Sequence, residues 1–223
     1  MPPPPNPARM DWESDCLRIA AAGAPAQAKK ALDLLSDFMK VNKATVEGLS
    51  RLPAPSDADA AVLRLETLAR AEPEDYMGRL IDQIHGLRSS LRAMAPLTMI
   101  RACNVLEDKS EVQHLAGLKQ LVDDLPIQNP FVGEMVVDNP FRMAAMRGIR
   151  RLKAPESVRF LVQHLDDPGK LVSYLAVVSL AEITHKGREF GPGMGQFEKD
   201  PQKYRDLWHR WWETEGSKEF PAR

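Results

Sequence analysis

Residues 144–152, Ala-Ala-Met-Arg-Gly-Ile-Arg-Arg-Leu, lie over 175–183, Leu-Ala-Val-Val-Ser-Leu-Ala-Glu-Ile, at an offset of 31. Apolar residues coincide at 144/175, 145/176, 146/177, 149/180 and 152/183. A period of roughly 20–50 residues is the mark of stacked supersecondary units, each able to bury its apolar face only against its neighbours. The repeat therefore predicts an all-α chain of helical hairpins.

Spacing at i, i+3, i+4 and i+7 marks the individual helices. Trp12, Cys16, Ile19 and Ala20 form one short face, and Ala28, Ala31, Leu32, Leu35, Phe38 and Met39 a second opened by Pro25. Val62, Leu65, Leu68 and Ala69 form a third, and the stretch from Met77 to Leu91 a long fourth, started by Pro73 and two acids. A fifth helix is predicted from about 96 to 106, and a sixth through Val112, Leu115, Leu118, Leu121 and Val122. Phe141, Ala144, Ala145, Gly148, Ile149 and Leu152 follow, then Val158, Leu161, Val162 and Leu165. Residues 170–184 are apolar nearly all round, which predicts a helix covered on most sides. The glycine-rich stretch 187–195 reads as a flexible connector. A last helix near 202–214 carries Tyr204, Leu207, Trp208, Trp211 and Trp212 on one stripe, with charges opposite.

This divides the chain into a proline-rich disordered tail (1–9), irregular helical pairs (10–125), a connector (126–139), regular pairs with a tryptophan-bearing cap (140–215) and a short tail (216–223). The connector holds Asn129-Pro130 and ends at the Asn139-Pro140 junction, since asparagine caps helices and proline suits their first turn.

Phe141-Arg142-x-x-Ala145-Met146-x-Gly148-Ile149 resembles the core of HEAT repeats, of the short bacterial type related to phycobilisome-lyase repeats. Ala154-Pro155-Glu156-Ser157-Val158 with Leu161, Val162 and Leu165 is similar to that repeat's second helix, and Asp167-Pro168 to its inter-repeat turn. The second copy departs from the pattern, with Ser173 where the arginine belongs. The segment from Phe197 to Trp212 looks like the closing segment of such proteins. The resemblance implies a right-handed α-solenoid of HEAT-like hairpins with a Trp-rich C-terminal capping helix, which binds macromolecules through a curved surface.

Composition narrows the chemistry. Lys and Arg number 30 against 31 Asp and Glu, so no overall field draws the chain to nucleic acid or an anionic membrane. Cys16 and Cys103 are the only cysteines, too few for a disulfide framework and without a Cys-x-x-Cys zinc pattern. The five histidines stand singly, with no His-x-x-x-His or His-Glu pair, and no Gly-x-Ser-x-Gly elbow occurs. No run approaches the ~18 apolar residues of a membrane span, and the N-terminus lacks the apolar core of a signal peptide, so a cytoplasmic chain is expected.

The expectation is a non-enzymatic protein-binding or scaffold module, with no metal and no cofactor, whose partner is another protein. Arg159 and Gln163, on an inner helix, are candidates for partner contacts. Arg147, Arg150 and Arg151 share one helical face and are candidates for the alternative, contact with nucleic-acid phosphates. A second alternative is a HEAT-fold enzyme resembling a bilin lyase or a DNA glycosylase.

Overall fold

The computed structural model describes residues 7–37, 41–128 and 138–221, with side chains from Trp12 onward apart from Ala93. The described residues are helical and contain no strand, and their one β-type pairing is an isolated antiparallel bridge between Gln128 and Asp138. No described helix is long and apolar enough to cross a membrane. The proline-rich residues 1–6, the predicted core residues Phe38 and Met39, and most of the predicted connector (129–137) lie outside the described residues.

The chain forms two compact units, Met1–Val105 and Leu106–Arg223. The division falls about twenty residues before the expected connector, because Leu106 to Leu125 pack with the second unit.

The first unit holds α1 (Pro7–Ala22), α2 (Pro25–Ser36), α3 (Lys43–Arg51), α4 (Ala58–Ala71), α5 (Pro73–Gly86) and the start of α6 (Pro96–Lys109). The α1 helix begins at Pro7, inside the expected tail, since proline is tolerated in a first helical turn. No periodic apolar stripe announces α3. It is nine residues long, and its signals are the Asn42 cap, whose side chain accepts from Thr45 N at 2.8 Å, and buried Val46 and Leu49. The α5 helix ends at Gly86 rather than reaching Leu91, which is buried separately in a 3-10 turn, Leu91–Ala93.

Leu32, Leu35, Leu49, Leu63 and Leu68 form the core of this unit, with Cys16 packed among them as a small hydrophobe. Buried polar groups pin its helices together. Glu13 of α1 accepts from Asn42 Nδ2 at 2.6 Å and from the Thr45 hydroxyl. Arg64 of α4 donates to the Leu49 and Ser50 carbonyls at 2.9 and 3.1 Å, satisfying the C-terminal end of α3. Glu66 accepts from Ser36 Oγ at 2.7 Å and faces Arg70 at 3.5 Å.

Burial raises the Glu66 carboxyl above its ordinary 4.5, outweighing the opposing influence of Arg70 and of the Ser36 and Thr67 hydroxyls. The folded chain then keeps a proton that the unfolded chain gives up. The stability this group contributes is full below the unfolded value and is lost as pH rises through the folded one. Glu66→Gln is therefore expected to gain on the wild type as pH is raised from about 4 to about 7. Urea unfolding of both chains across that range checks it, and a constant difference would contradict it.

The second unit holds the end of α6, α7 (Leu115–Asp124), α8 (Pro140–Leu152), α9 (Val158–Gln163), α10 (Lys170–Ile183), α11 (Gly187–Phe190), α12 (Met194–Lys199), α13 (Pro201–Trp211) and α14 (Ser217–Glu219). Val112, expected on the face of the sixth helix, is 60% exposed, because α7 starts only at Leu115 after a 3-10 turn. The α8 helix packs between α7 and α10, and α10 is also flanked by α9, α11 and α13. Those neighbours account for the all-round apolar character of α10. Close approach of α6 and α7 to α8 depends on Gly148, where a Cβ would stand 3.0 Å from Leu106 O and 3.3 Å from Leu118 Cδ1.

The expected glycine-rich connector is instead largely helical, forming α11 and the start of α12, because Phe190 and Phe197 anchor it to the aromatic cluster. The Trp208 ring meets Trp211 edge-on at 5.1 Å and Phe190 at 5.2 Å. Trp208 and Trp211 are buried, while Tyr204, Leu207 and Trp212 are half-buried. The closing helix does not stop near 214. It widens into a π-turn, Trp212–Gly216, and continues through α14, bringing Phe220 to 6.2 Å from the Trp211 ring. Gly216 permits the turn, since a Cβ there would stand 2.7 Å from Trp211 ring atoms.

Candidate functional site

Three polar assemblies occupy the second unit. The first is buried. Arg142 of α8 donates to Val122 O at 2.7 Å and, with both terminal nitrogens, to Asp167 at 3.2 and 2.6 Å. Asp167 also accepts from Gly169 N at 2.8 Å, and His164 stands between it (3.1 Å) and Asp123 (2.9 Å). Burial would raise the Asp167 carboxyl, but hydrogen bonds from His164 and Arg142 outweigh it and hold the group below 3.8. Asp138 accepts from Leu171 N at the start of α10, and burial pushes its carboxyl up, with Asp167 nearby adding to the effect. Arg142 and Asp167 thus form one junction joining α7, α8 and the turn before α10. Arg142, on the same helix as Arg147, Arg150 and Arg151, belongs to this junction and is 3% exposed.

Gly169 lets the two carboxylates converge. A Cβ built on it would overlap Asp138 Oδ1 and lie 2.9 Å from Asp167 Oδ1. Gly169→Ala is expected to cost about 1–3 kcal/mol, as overpacking does, although the backbone there suits any residue. Thermal unfolding of the variant measures it, and an unchanged midpoint would show that the turn yields.

The second assembly is the face of Arg147, Arg150 and Arg151. These side chains line a recess of about 280 Å³ together with Glu107, Asp108 and Glu182. Arg147 lies 3.4 Å from Glu107, and Arg150 donates through Nε to Glu182 at 3.0 Å. The hydrogen bond to Glu182 raises the Arg150 guanidinium further, against the effect of burial. Arg151 donates to Glu107 O at 2.7 Å and to Ser110 O, capping the end of α6. Each of the three cations has a partner within the unit.

The third is an open groove of about 820 Å³. Pro155, Glu156, Arg159, Phe160 and Gln163 line one side of it, and the α9 helix brings the last three together. Lys119 of α7 lines it too, and so does the stretch from Glu219 to Pro221, which falls in the expected C-terminal tail. Lys119 Nζ donates to Glu156 O at 2.8 Å and sits 5.6 Å from the centre of the Phe160 ring. Burial lowers its pKa despite the acidic pull of Glu156 and Asp123. Arg159 and Gln163 are exposed and have no hydrogen bond or ion pair among the described residues.

The structure therefore places Arg159 and Gln163 on one groove and Arg147, Arg150 and Arg151 in a separate recess. Lys119 and Phe220 went unnoticed in the sequence because only tertiary packing brings residue 119 to residue 160, and no local spacing encodes that. Among the described residues, no group of three or more His, Cys, Asp and Glu side chains could hold a metal ion. Comparison of the chain with family models, with curated proteins and with solved structures finds no match.

Proposed function

We propose that the chain is a non-enzymatic binding module, a right-handed stack of HEAT-like hairpins closed by the tryptophan-bearing α13, and that it recognises another protein through the groove at α9. One observation carries this reading: the groove offers an exposed arginine and an exposed amide with no partners among the described residues, beside an apolar lining of Pro155, Phe160 and Phe220. Polar groups without partners beside an apolar lining suit a protein interface, where arginine and aromatic residues supply much of the binding energy.

The alternative, phosphate contact through Arg147, Arg150 and Arg151, is less well supported. A polyanion would have to displace Glu107 and Glu182 and uncover the α6 carbonyls. Both readings are tested with the purified chain at about 150 mM salt, where counterion release already weakens phosphate binding. The expected outcome is capture of a defined protein by the wild type, lost when Gln163→Trp fills the groove, with no retention of duplex DNA. Capture unaffected by Gln163→Trp would overturn the groove reading. DNA binding abolished by reversing the three α8 arginines would establish the alternative.

A further inference from the structure

The charges of the groove narrow the chemistry of its occupant. Two cations face it, and they differ in kind. Arg159 is an exposed, unpaired fork, the geometry that grips a carboxylate with two parallel hydrogen bonds. Lys119 is partly buried, donating to the Glu156 carbonyl beside the Phe160 ring, and the pull of Glu156 and Asp123 does not fully offset its burial. A single negative charge placed between them would pair with the first and complete the surroundings of the second.

Glu156 and Glu219 set the opposite limit. Both line the same groove, so a dense run of phosphates laid along it would meet like charge. One carboxylate flanked by neutral or apolar groups avoids that conflict. The neighbouring surface of Phe220, Pro221 and Pro155 is apolar and suits a bulky side chain beside the acid.

We propose that the groove takes an acidic peptide segment of the partner, in which an Asp or Glu engages Arg159 and Lys119 while an adjacent aromatic or aliphatic side chain packs on Phe220 and Pro155. This rests on the protein-binding reading above and adds the identity of the recognised chemistry. An extended segment of five or six residues reaches roughly 17–20 Å, long enough to present an acid and a neighbouring apolar residue together.

The test is selection of a random heptapeptide display library on the full chain. Affinities of the recovered peptides are then measured by fluorescence anisotropy against the wild type, Arg159→Glu and, as a control outside the groove lining, Arg188→Glu. Retained circular dichroism and tryptophan emission establish that the variants fold. Recovered peptides should carry at least one Asp or Glu next to an apolar residue. They should weaken by about tenfold or more on Arg159→Glu, the loss of a charge-assisted pair. Arg188→Glu should leave them unchanged. Peptides that compete for the groove but lack acids, or that bind Arg159→Glu equally well, overturn the acidic-segment proposal and leave the protein-binding reading standing. A library that yields no groove-directed peptide overturns both.

Discussion

Replacing Arg142 with methionine is expected to remove about 3–5 kcal/mol of folding stability, because breaking a buried ion pair from one side strands the remaining charge. Both side chains are 4% exposed, and Asp167 would lose the guanidinium that binds each of its oxygens. Val122 O would lose its donor in the same step. Removing both charges with Arg142→Met and Asp167→Leu should recover part of the loss, since the stranded carboxylate is gone. Recovery stays partial because Asp167 also receives Gly169 N and His164. The pair imposes a pH dependence as well. The folded-state value of Asp167 is depressed, so the stability it contributes is present above about 3.8 and is lost as pH falls through the folded value. Guanidinium unfolding of the wild type and both variants at neutral and acid pH measures these effects. A single-variant loss under about 1 kcal/mol would show that the junction is peripheral.

Trp208→Ala is expected to cost a similar amount, about 3–5 kcal/mol, by opening a cavity where an indole is wholly enclosed. Trp212→Ala should cost less, because that ring is only half-buried. Trp208→Phe adds a finer test. The Trp208 Nε1 group is buried with no hydrogen-bond partner, a burden of about 1–3 kcal/mol that phenylalanine would relieve. The phenylalanine variant should therefore lose less than its reduced volume suggests. Unfolding followed by near-ultraviolet dichroism, with Trp211 as the reporter common to all, ranks the three. An alanine variant as stable as the phenylalanine one would mean that the aromatic cluster is not a packed unit.

Helices with long apolar stripes were legible in the sequence. The α8 and α10 helices follow from the offset of 31 residues, and the burial of Trp208 follows from its place on a regular stripe. Short elements escaped where tertiary contacts stabilise what periodicity does not announce. The α3 helix depends on Glu13 receiving Asn42 and Thr45, and α11 depends on Phe190 reaching Trp208. The candidate groove was half legible. Arg159 and Gln163 are an i, i+4 pair that any helical reading places on one face. Lys119 and Phe220 reach the same groove only through chain reversals that no spacing rule encodes. The three arginines of α8 show the converse. Their shared face could be read from sequence, but their partners Glu107 and Glu182 lie 40 and 32 residues away.

Ser173 lies 31 residues after Arg142, the same offset that relates 144–152 to 175–183. Its hydroxyl donates to Leu165 O and receives Arg205 Nε at 3.2 Å, so the guanidinium here comes from the closing helix itself. A serine is too short to clasp a carboxylate in a later turn as Arg142 clasps Asp167. The polar tether at this position of α10 is thus supplied from α13, so loss of the C-terminal segment would leave the Ser173 hydroxyl without its donor.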